Sequence, residues 1–351
     1  MNVKILLIVF LLYVGMAYGQ NEKSTFKQIE IESLLSDKIS IRAIAIDRNK
    51  VFYAANNNRF GVIDLESKKK IEHKIVFDTL KLEFRSIAQT KKHIFTLCVG
   101  NPALLYKIDK KTMTPKLVYQ EKNEKVFYDS MQFKDEKNGM AMGDPTENCL
   151  SVLITKDGGE TWQKQTCDNI PKTIDGEAAF AASNTNLVLQ GNKTWMVSGG
   201  KQARIFSSDN FGKSWQSFNT PIVQGETMTG IFSAAFYDDK NGIIVGGNYE
   251  KPTQNFGNKA TTTDGGKTWK LVAENSGFGY ASCVQYVPNS NAKGIVTVGA
   301  TGVFYSNDSG ETWTQISTEK DLYVLKFIDK NNFIAGGKDK ILRFTILYKQ
   351  I

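Results

Sequence analysis

The phrase T-T-D-G-G-K-T-W at Thr262–Trp269 occurs in three further versions along the chain. These are T-K-D-G-G-E-T-W at Thr155–Trp162, S-D-N-F-G-K-S-W at Ser208–Trp215 and S-N-D-S-G-E-T-W at Ser306–Trp313. The four copies begin at residues 155, 208, 262 and 306, so they recur about every 50 residues. A fixed phrase repeated at such a spacing predicts a repeat architecture.

Each copy has the composition of a hairpin turn. The acidic or amide side chain can accept hydrogen bonds from nearby backbone N–H groups, and the glycine supplies the positive φ of a tight turn. The final tryptophan is large enough to anchor one repeat against its neighbour. These side chains are Asp157, Asn210, Asp264 and Asp308, followed by Trp162, Trp215, Trp269 and Trp313. A metal-ligand or catalytic role is disfavoured, because four copies cannot all be one active site and one copy carries Asn.

Aligning outward from these phrases divides the chain into seven units, which begin near residues 40, 82, 128, 177, 230, 281 and 321. Each unit starts with an apolar segment, and its second segment ends in small residues. Units one and two keep only remnants of the phrase, near Asp64 and Asp109. Four short strands repeated about every 45 residues predict an all-β, seven-bladed β-propeller of four-stranded blades. The last unit, Leu322 to Leu347, is one strand short, so we expect the segment Thr25–Ile31 to complete it and close the ring.

Length and composition fit one domain over residues 20–351. The 351 residues can bury a sizeable core, and 7 Pro against 29 Gly suits a β protein. The formal charge of +8 comes from basic residues scattered along the chain, as in Lys68–Lys70. Such scatter indicates a solvated rim rather than a nucleic-acid surface. We expect a monomer.

Residues 1–19 have the features of a secretory signal peptide. Lys4 provides the positive start, Ile5–Met16 is apolar but too short for a membrane span, and Ala17–Gly19 fits a cleavage site before Gln20. No later segment is apolar enough to cross a membrane. We therefore expect an exported protein, either periplasmic or secreted.

The cysteines predict one disulfide. Cys149 and Cys167 each lie nine residues from Gly158, so they face one another if that phrase is a hairpin turn. The alternative is two free thiols on an edge strand. Cys98 and Cys283 lie in apolar stretches and are expected to be buried.

The pattern of cysteines and histidines does not indicate a metal or cofactor site. There is no C-x-x-C motif, and His73 and His93 are isolated. We expect neither a metal nor a cofactor.

The first positions of the inner strands predict a binding site. Arg42 and Arg85 occupy equivalent places in units one and two, Asp129 follows in unit three, and Glu177 lies near the place in unit four. The later units offer Phe232, Ser282 and Tyr323, and the rim would be formed by Asn101, Asp144, Lys201 and Asn248. Burying an arginine near the axis costs free energy unless an acidic side chain or a ligand pairs with it. The end of the propeller that carries these residues therefore suits a carboxylate or an acidic sugar as ligand. The alternative is that Arg42–Asp129 and Arg85–Glu177 satisfy one another.

The repeated phrase resembles the Asp-box, or BNR, repeat. The whole mature chain resembles the photosystem II stability and assembly factor type of propeller, through F-R-S-I at Phe84–Ile87, the four phrases and the glycine-ended second strands. Further phrases resemble a group of exported bacterial propellers. Members of that group are sometimes labelled oxidoreductases, but this chain has no G-x-G-x-x-G motif to support such an activity. These further phrases are N-P-A at Asn101–Ala103, G-D-P at Gly143–Pro145, A-A-S-N-T at Ala181–Thr185 and G-I-F-S at Gly230–Ser233.

The resemblance implies an exported, non-catalytic binding or assembly-factor-like propeller that engages a protein or glycan partner through Arg42 and Arg85. The alternative is a glycoside hydrolase of sialidase type acting on acidic glycans, with carboxylates from Asp129, Asp144 and Glu177 and a tyrosine such as Tyr280 or Tyr323. That family needs three converging arginines, and the chain has six arginines, of which only two fall at inner-strand starts.

Overall fold

The structure, a computed structural model, describes residues 26–348. Its regular elements are strands, apart from one short 3-10 helix at Cys167–Asn169. The predicted signal peptide at residues 1–19 lies outside the described residues. Among residues 26–348, no helix has the length and apolar character needed to cross a bilayer.

Units one and two contain eight strands. They are β1 (Phe26–Asp47), β2 (Lys50–Ala55), β3 (Arg59–Asp64), β4 (Lys70–Lys74), β5 (Phe84–Gln89), β6 (His93–Cys98), β7 (Ala103–Asp109) and β8 (Pro115–Glu121).

Units three and four contain ten strands, several of them short. They are β9 (Tyr128–Phe133), β10 (Gly139–Gly143), β11 (Ser151–Thr155), β12 (Gln163–Lys164), β13 (Glu177–Ala178), β14 (Leu187–Gln190), β15 (Lys193–Val197), β16 (Gly199–Gly200), β17 (Arg204–Ser208) and β18 (Gln216–Asn219).

Units five to seven contain the remaining ten strands. They are β19 (Thr229–Phe236), β20 (Gly242–Asn248), β21 (Lys259–Thr262), β22 (Lys270–Leu271), β23 (Ala281–Tyr286), β24 (Ile295–Gly299), β25 (Gly302–Ser306), β26 (Thr314–Ser317), β27 (Leu322–Phe327) and β28 (Asn332–Tyr348).

The prediction of seven separate four-stranded blades is wrong, because hydrogen bonding divides the described strands into six sheets. Four of these sheets have four strands and two have six. One six-stranded sheet has the order β27-β28-β1-β2-β3-β4, so units seven and one form a single sheet. The physical reason is that β1 is 22 residues long: its first half pairs with β28 of unit seven, and its second half, Ile41–Asp47, pairs with β2 of unit one. A sequence alignment by repeat counts these two units separately.

The two ends of the chain pair with one another, as expected. The first half of β1 runs antiparallel to the second half of β28, with Ile29 opposite Ile346 and Ile31 opposite Phe344. Phe344 is fully buried and its ring stacks on Phe333 at 4.7 Å between centroids. This pairing covers strand edges that would otherwise be exposed.

Unit four departs from the expected pattern. An apolar inner strand was expected at Ala178–Ala182, but β13 ends at Ala178 and the next strand, β14, begins at Leu187. The residues between them include the axial segment, which we define as Phe180–Asn186. β13 and β16 join the sheet of unit five through a pairing of Gly199 with Gly230, which gives the second six-stranded sheet.

The hydrophobic core lies between neighbouring units. Phe95 of unit two stacks on Phe133 of unit three at 4.6 Å, and Trp162 packs edge-on against Phe133 at 5.7 Å. Gly159 has a φ of +77°, and a Cβ placed there would collide with the Phe95 ring. The tryptophan and glycine of the repeated phrase therefore fit one unit against the next.

The repeated phrases form side-chain-stabilised turns. In the first copy, Asp157 Oδ1 accepts hydrogen bonds from the backbone N–H groups of Glu160 and Thr161 at 3.0 and 3.1 Å, and Oδ2 accepts the Thr161 hydroxyl at 2.6 Å. Asn210 can replace the acid because its Oδ1 accepts the N–H of Ser214 at 3.0 Å. Asp64 and Asp109 accept comparable bonds in units one and two.

Cys149 and Cys167 form the predicted disulfide, with Cα atoms 5.6 Å apart. The bond joins the start of unit three's third strand to the 3-10 helix that follows its fourth. Cys98 and Cys283 are buried free thiols.

Candidate functional site

A β-bulge occurs at the same place in six inner strands. In each strand one residue has no partner in the register with the second strand of its unit. These residues are Arg42, Arg85, Asp129, Phe232, Ser282 and Tyr323. A bulge bends the strand and changes the direction of a side chain. The residues that the sequence placed at equivalent positions therefore occupy equivalent backbone sites at one end of the tunnel, which we call the mouth.

Arg42 is largely buried and has no acidic partner. Its guanidinium carbon lies 4.0 Å from the centroid of the Tyr323 ring, and Nη1 donates to the carbonyl of Ala182 at 3.3 Å. Its Nε is buried without an acceptor, and no carboxylate forms an ion pair with it anywhere in residues 26–348. Burial lowers the pKa of Arg42, and the positive charge of Arg85 lowers it further. A buried cation without a counterion is costly unless a ligand supplies one.

Arg85 differs from Arg42 because it is paired. Its Nη2 lies 2.7 Å from Glu83 Oε1, and its Nε donates to the same oxygen at 2.8 Å. The guanidinium is also 6.0 Å from the Phe127 ring centroid. The side chain of Glu83 is 38% exposed, so this pair lies at the rim rather than in the interior.

Asp129 is fully buried, and neither of its carboxyl oxygens has a hydrogen-bond partner. Burial raises its pKa well above the ordinary value, and the nearby charge of Asp144 raises it further, whereas Arg85 opposes the shift. Burial also raises the pKa of Asp144 to about 6, against the effect of a hydrogen bond from the N–H of Ala179 at 2.7 Å. Two carboxyl groups thus share a site in which ionisation is unfavourable.

Glu177 is engaged within the protein. Its carboxylate forms a two-point ion pair with Arg204, at 2.9 Å from Nε and 2.6 Å from Nη2, and it accepts the Ser198 hydroxyl at 2.6 Å. The sequence grouped Glu177 with the ligand-binding residues, and the structure accounts for both of its oxygens without a ligand. Neither Arg42–Asp129 nor Arg85–Glu177 forms a pair among the described ion pairs.

Aromatic side chains line the part of the mouth opposite the acids. Tyr280 packs edge-on against Phe232 at 4.8 Å and against Tyr249 at 5.2 Å. Phe180 stacks on Phe232 at 4.0 Å. Tyr249 is 47% exposed, so this wall faces solvent. The aromatic wall was predicted only through Phe232 and Tyr323.

The rim loop of unit five packs onto this wall. Asn248 is buried, and its Oδ1 accepts the N–H groups of Glu250 and Lys251, which turns the chain back. The carbonyl of Pro252 then accepts the N–H of Tyr280 at 2.9 Å. The loop after β20 thereby fixes the position of Tyr249 beside the mouth.

The axial segment blocks the tunnel below the mouth. Asn184 donates to the carbonyl of Ile87 at 2.8 Å and accepts the N–H of Met131 at 2.8 Å, so it joins units two and three. The Thr185 hydroxyl lies 2.7 Å from that of Ser233 in unit five. The sequence analysis missed this role, although the polar run Ser183–Thr185 directly follows the apolar strand that was expected at Ala178–Ala182.

The mouth combines two kinds of polar group. It presents one uncompensated guanidinium on an aromatic wall and, across from it, two carboxyls that resist ionisation. Among residues 26–348, no group of three His, Cys, Asp or Glu side chains is placed to hold a metal ion. The Asp-box carboxyls are hydrogen-bonded turn elements: burial opposes their ionisation, but hydrogen bonds from Thr161 and Thr268 help lower the pKa of Asp157 and Asp264 to about 2.

The fold and the repeated turns define a BNR-repeat β-propeller. A family model described as BNR/Asp-box repeat matches residues 260–271, which include the whole of the third phrase, Thr262–Trp269. A search of curated proteins found no significant match.

Comparison with solved structures gives similar propellers. "YCF48 bound to D1 peptide" has a TM-score of 0.66 at 14% identity, covering 92% of this chain and 98% of that chain. "YCF48 from Cyanidioschyzon merolae" has a TM-score of 0.63 at 10% identity, covering 90% and 98%. The WD40 repeats of RRP9 have a TM-score of 0.66 at 11% identity, covering 93% and 100%. At these identities the likeness concerns the fold, in which the chain resembles YCF48.

Proposed function

We propose that this protein is an exported, non-catalytic binding propeller whose mouth holds an acidic group of a polypeptide partner. The observation that carries the proposal is the buried guanidinium of Arg42, which has no carboxylate partner within the described chain. The planar donors of arginine suit a carboxylate, and a ligand there would supply the missing counterion. The solved YCF48 structure named for its bound D1 peptide is consistent with a peptide ligand on this kind of fold.

The aromatic wall supports a peptide rather than a small ion. Tyr249, Tyr280 and Tyr323 surround Arg42, and tyrosine is enriched where proteins bind one another. A ligand carboxylate at Arg42 would place the adjoining side chains against these rings.

The test is a cross-linking pull-down from the native cell envelope with three proteins: wild type, Arg42→Ala and Arg48→Ala. Arg48 is the matched control, because it is exposed at the other end of the same inner strand, in the β1–β2 turn. We expect wild type and Arg48→Ala to capture the same partner and Arg42→Ala to lose it. Equal capture by all three folded proteins would refute the role of Arg42.

Export is proposed from the features of residues 1–19 and from the disulfide, which is typical of oxidising compartments. The expected mature N-terminus is Gln20. N-terminal sequencing of the protein from cell fractions checks both points, and an intact Met1 in the cytoplasmic fraction would contradict them.

The sialidase-type alternative is favoured only by the Asp129–Asp144 carboxyl pair. Three converging arginines are not found in the described chain, because Arg204 is bound to Glu177 and Arg343 to Glu32. Hydrolysis of an aryl sialoside by the wild type, lost in Asp129→Asn, would favour this alternative over a binding protein.

A further inference from the structure

The opposite end of the tunnel contains two adjoining cavities of about 340 and 250 Å³. Both are lined by Gln132 and Lys326, so they meet at these two side chains. Thr185 lines the larger cavity and Asn184 the smaller one. Other lining residues, such as Ala234–Tyr237 and Ile44–Ile46, follow the bulge residues along their inner strands, so the cavities lie further from the mouth.

Lys326 is the one charged side chain that lines either cavity. It lies near the end of β27, and within residues 26–348 its ammonium group has neither an ion pair nor a hydrogen bond. Lys326 is partly buried, and burial lowers its pKa. The cavities therefore contain an uncompensated positive charge, as the mouth does at Arg42.

The rest of the lining is amide and aromatic. Gln132 is held in place, since its Nε2 donates to the carbonyl of Leu187 at 2.6 Å and its Oε1 accepts the N–H of Leu189 at 3.1 Å. Phe236 and Tyr286 supply apolar surface to the larger cavity. The larger cavity therefore combines two apolar rings with polar surface that exceeds the apolar surface in area.

The volume favours an anion with an apolar body over a bare ion. A cavity of about 150 Å³ is sufficient for benzene in another protein, so about 340 Å³ has room for a small aromatic acid. Tyr237 and Pro288, which belong to the turns after β19 and β23, also line the larger cavity. The cavity therefore reaches the face on which the Asp-box turns lie.

We infer that the larger cavity beside Lys326 is a second binding site, for a small organic carboxylate. The carboxylate would pair with the Lys326 ammonium, and the apolar part would pack against Phe236 and Tyr286. This site is separate from the mouth at Arg42, so the proposal does not depend on whether a polypeptide binds at the mouth.

The experiment is isothermal titration of wild type, Lys326→Met and Lys330→Met with benzoate, acetate and phosphate. Met keeps the length of the side chain and removes the charge, and it is compatible with a buried site. Lys330 is the matched control, because it is exposed in the turn that follows β27. We expect benzoate to bind the wild type and Lys330→Met equally, and Lys326→Met at least tenfold more weakly.

Crystals of the wild-type protein soaked in 4-bromobenzoate provide a readout that does not depend on a variant. The expected result is anomalous bromine density in the larger cavity with the carboxylate at Lys326. An empty cavity, or equal benzoate affinity in Lys326→Met, would overturn the proposal. Tighter binding of phosphate than of benzoate would overturn the assignment to organic acids.

Discussion

The surroundings of Arg42 and Asp129, two titratable side chains at the mouth, disfavour the charged form of both. Arg42 stacks on Tyr323 and has no acid beside it, whereas Asp129 is buried without a hydrogen-bond partner. Each arrangement is unfavourable for the isolated protein. Sites that bind ligands commonly retain such costs, because the ligand removes them on binding.

Arg42→Met tests whether Arg42 is a structural residue. Because a buried, unpaired cation gains little from its surroundings, an apolar side chain of similar length should be neutral or stabilising. We expect the free energy of unfolding in urea to stay the same or rise by up to about 2 kcal/mol. A loss of more than about 2 kcal/mol would show that Arg42 holds the fold together through its contacts with Ala182 and Tyr323.

Asp129→Asn tests the buried carboxyl through the pH dependence of stability. A carboxyl whose pKa is raised by folding binds more protons when folded, so its contribution to stability falls as the pH rises from about 4 through the folded pKa. Removing this group should raise the free energy of unfolding more at pH 7.5 than at pH 4.5, by about 1 kcal/mol or more.

The control for this experiment is Asp157→Asn, in the first Asp box. Its pKa is lowered to about 2 in the folded protein, so its charged form is the one that stabilises the fold. Stability from this group is present above about pH 4 and is lost at lower pH. The two variants should therefore differ in sign at pH 7.5, and the same sign for both would contradict the account of Asp129.

At the scale of elements, the axial segment determines how the mouth is separated from the far cavities. Its side chains bond to units two, three and five, and its Ala182 carbonyl accepts from Arg42 of unit one. A short segment before β14 thus links four other units through hydrogen bonds.

Asn184→Ala tests the axial segment. The substitution leaves the carbonyl of Ile87 and the N–H of Met131 without their buried partner, and alanine is disfavoured at the positive φ of 59°. We expect a loss of about 2–4 kcal/mol in urea unfolding. Asn192→Ala is the control: the side chain of Asn192 is exposed and, within the described residues, bonds only to Lys134, so its loss should stay below about 1 kcal/mol. Equal losses would contradict the proposed role.

Some elements follow directly from the sequence. The four phrases predict the turns, because each phrase contains both the hydrogen-bonding side chain and the glycine that its turn needs. No contact with a distant residue is required to predict them. The disulfide followed from the symmetry of Cys149 and Cys167 about one turn. The bulge residues Arg42, Arg85 and Asp129 could be aligned because the paired second strands end in small residues.

Other elements depend on contacts between distant units and could not be predicted from local pattern. The sheet count changed because β1 continues from unit seven into unit one, which only its pairing with both β28 and β2 reveals. Glu177 was grouped with the mouth, but its partner Arg204 is 27 residues away on a third strand. The axial segment is polar and short, and its partners lie in four other units.

At the scale of the whole molecule, the propeller has two chemically distinct ends. The mouth carries Arg42 on an aromatic wall, with the unit-five loop beside it. The other end carries the Asp-box turns and the cavities around Lys326. Since the axial segment separates them, a large partner at the mouth and a small acid at the far end could bind independently.

The most direct test of the central claim is site-specific photo-cross-linking in the native cell envelope. A photoreactive phenylalanine analogue replaces either Tyr249, which is exposed at the mouth, or Lys240, which is exposed in the β19–β20 turn on the opposite face. The account predicts a discrete polypeptide adduct from position 249 that disappears when Arg42→Ala is added, and none from position 240. An adduct from position 240 alone, or one from position 249 that survives the loss of Arg42, would contradict it.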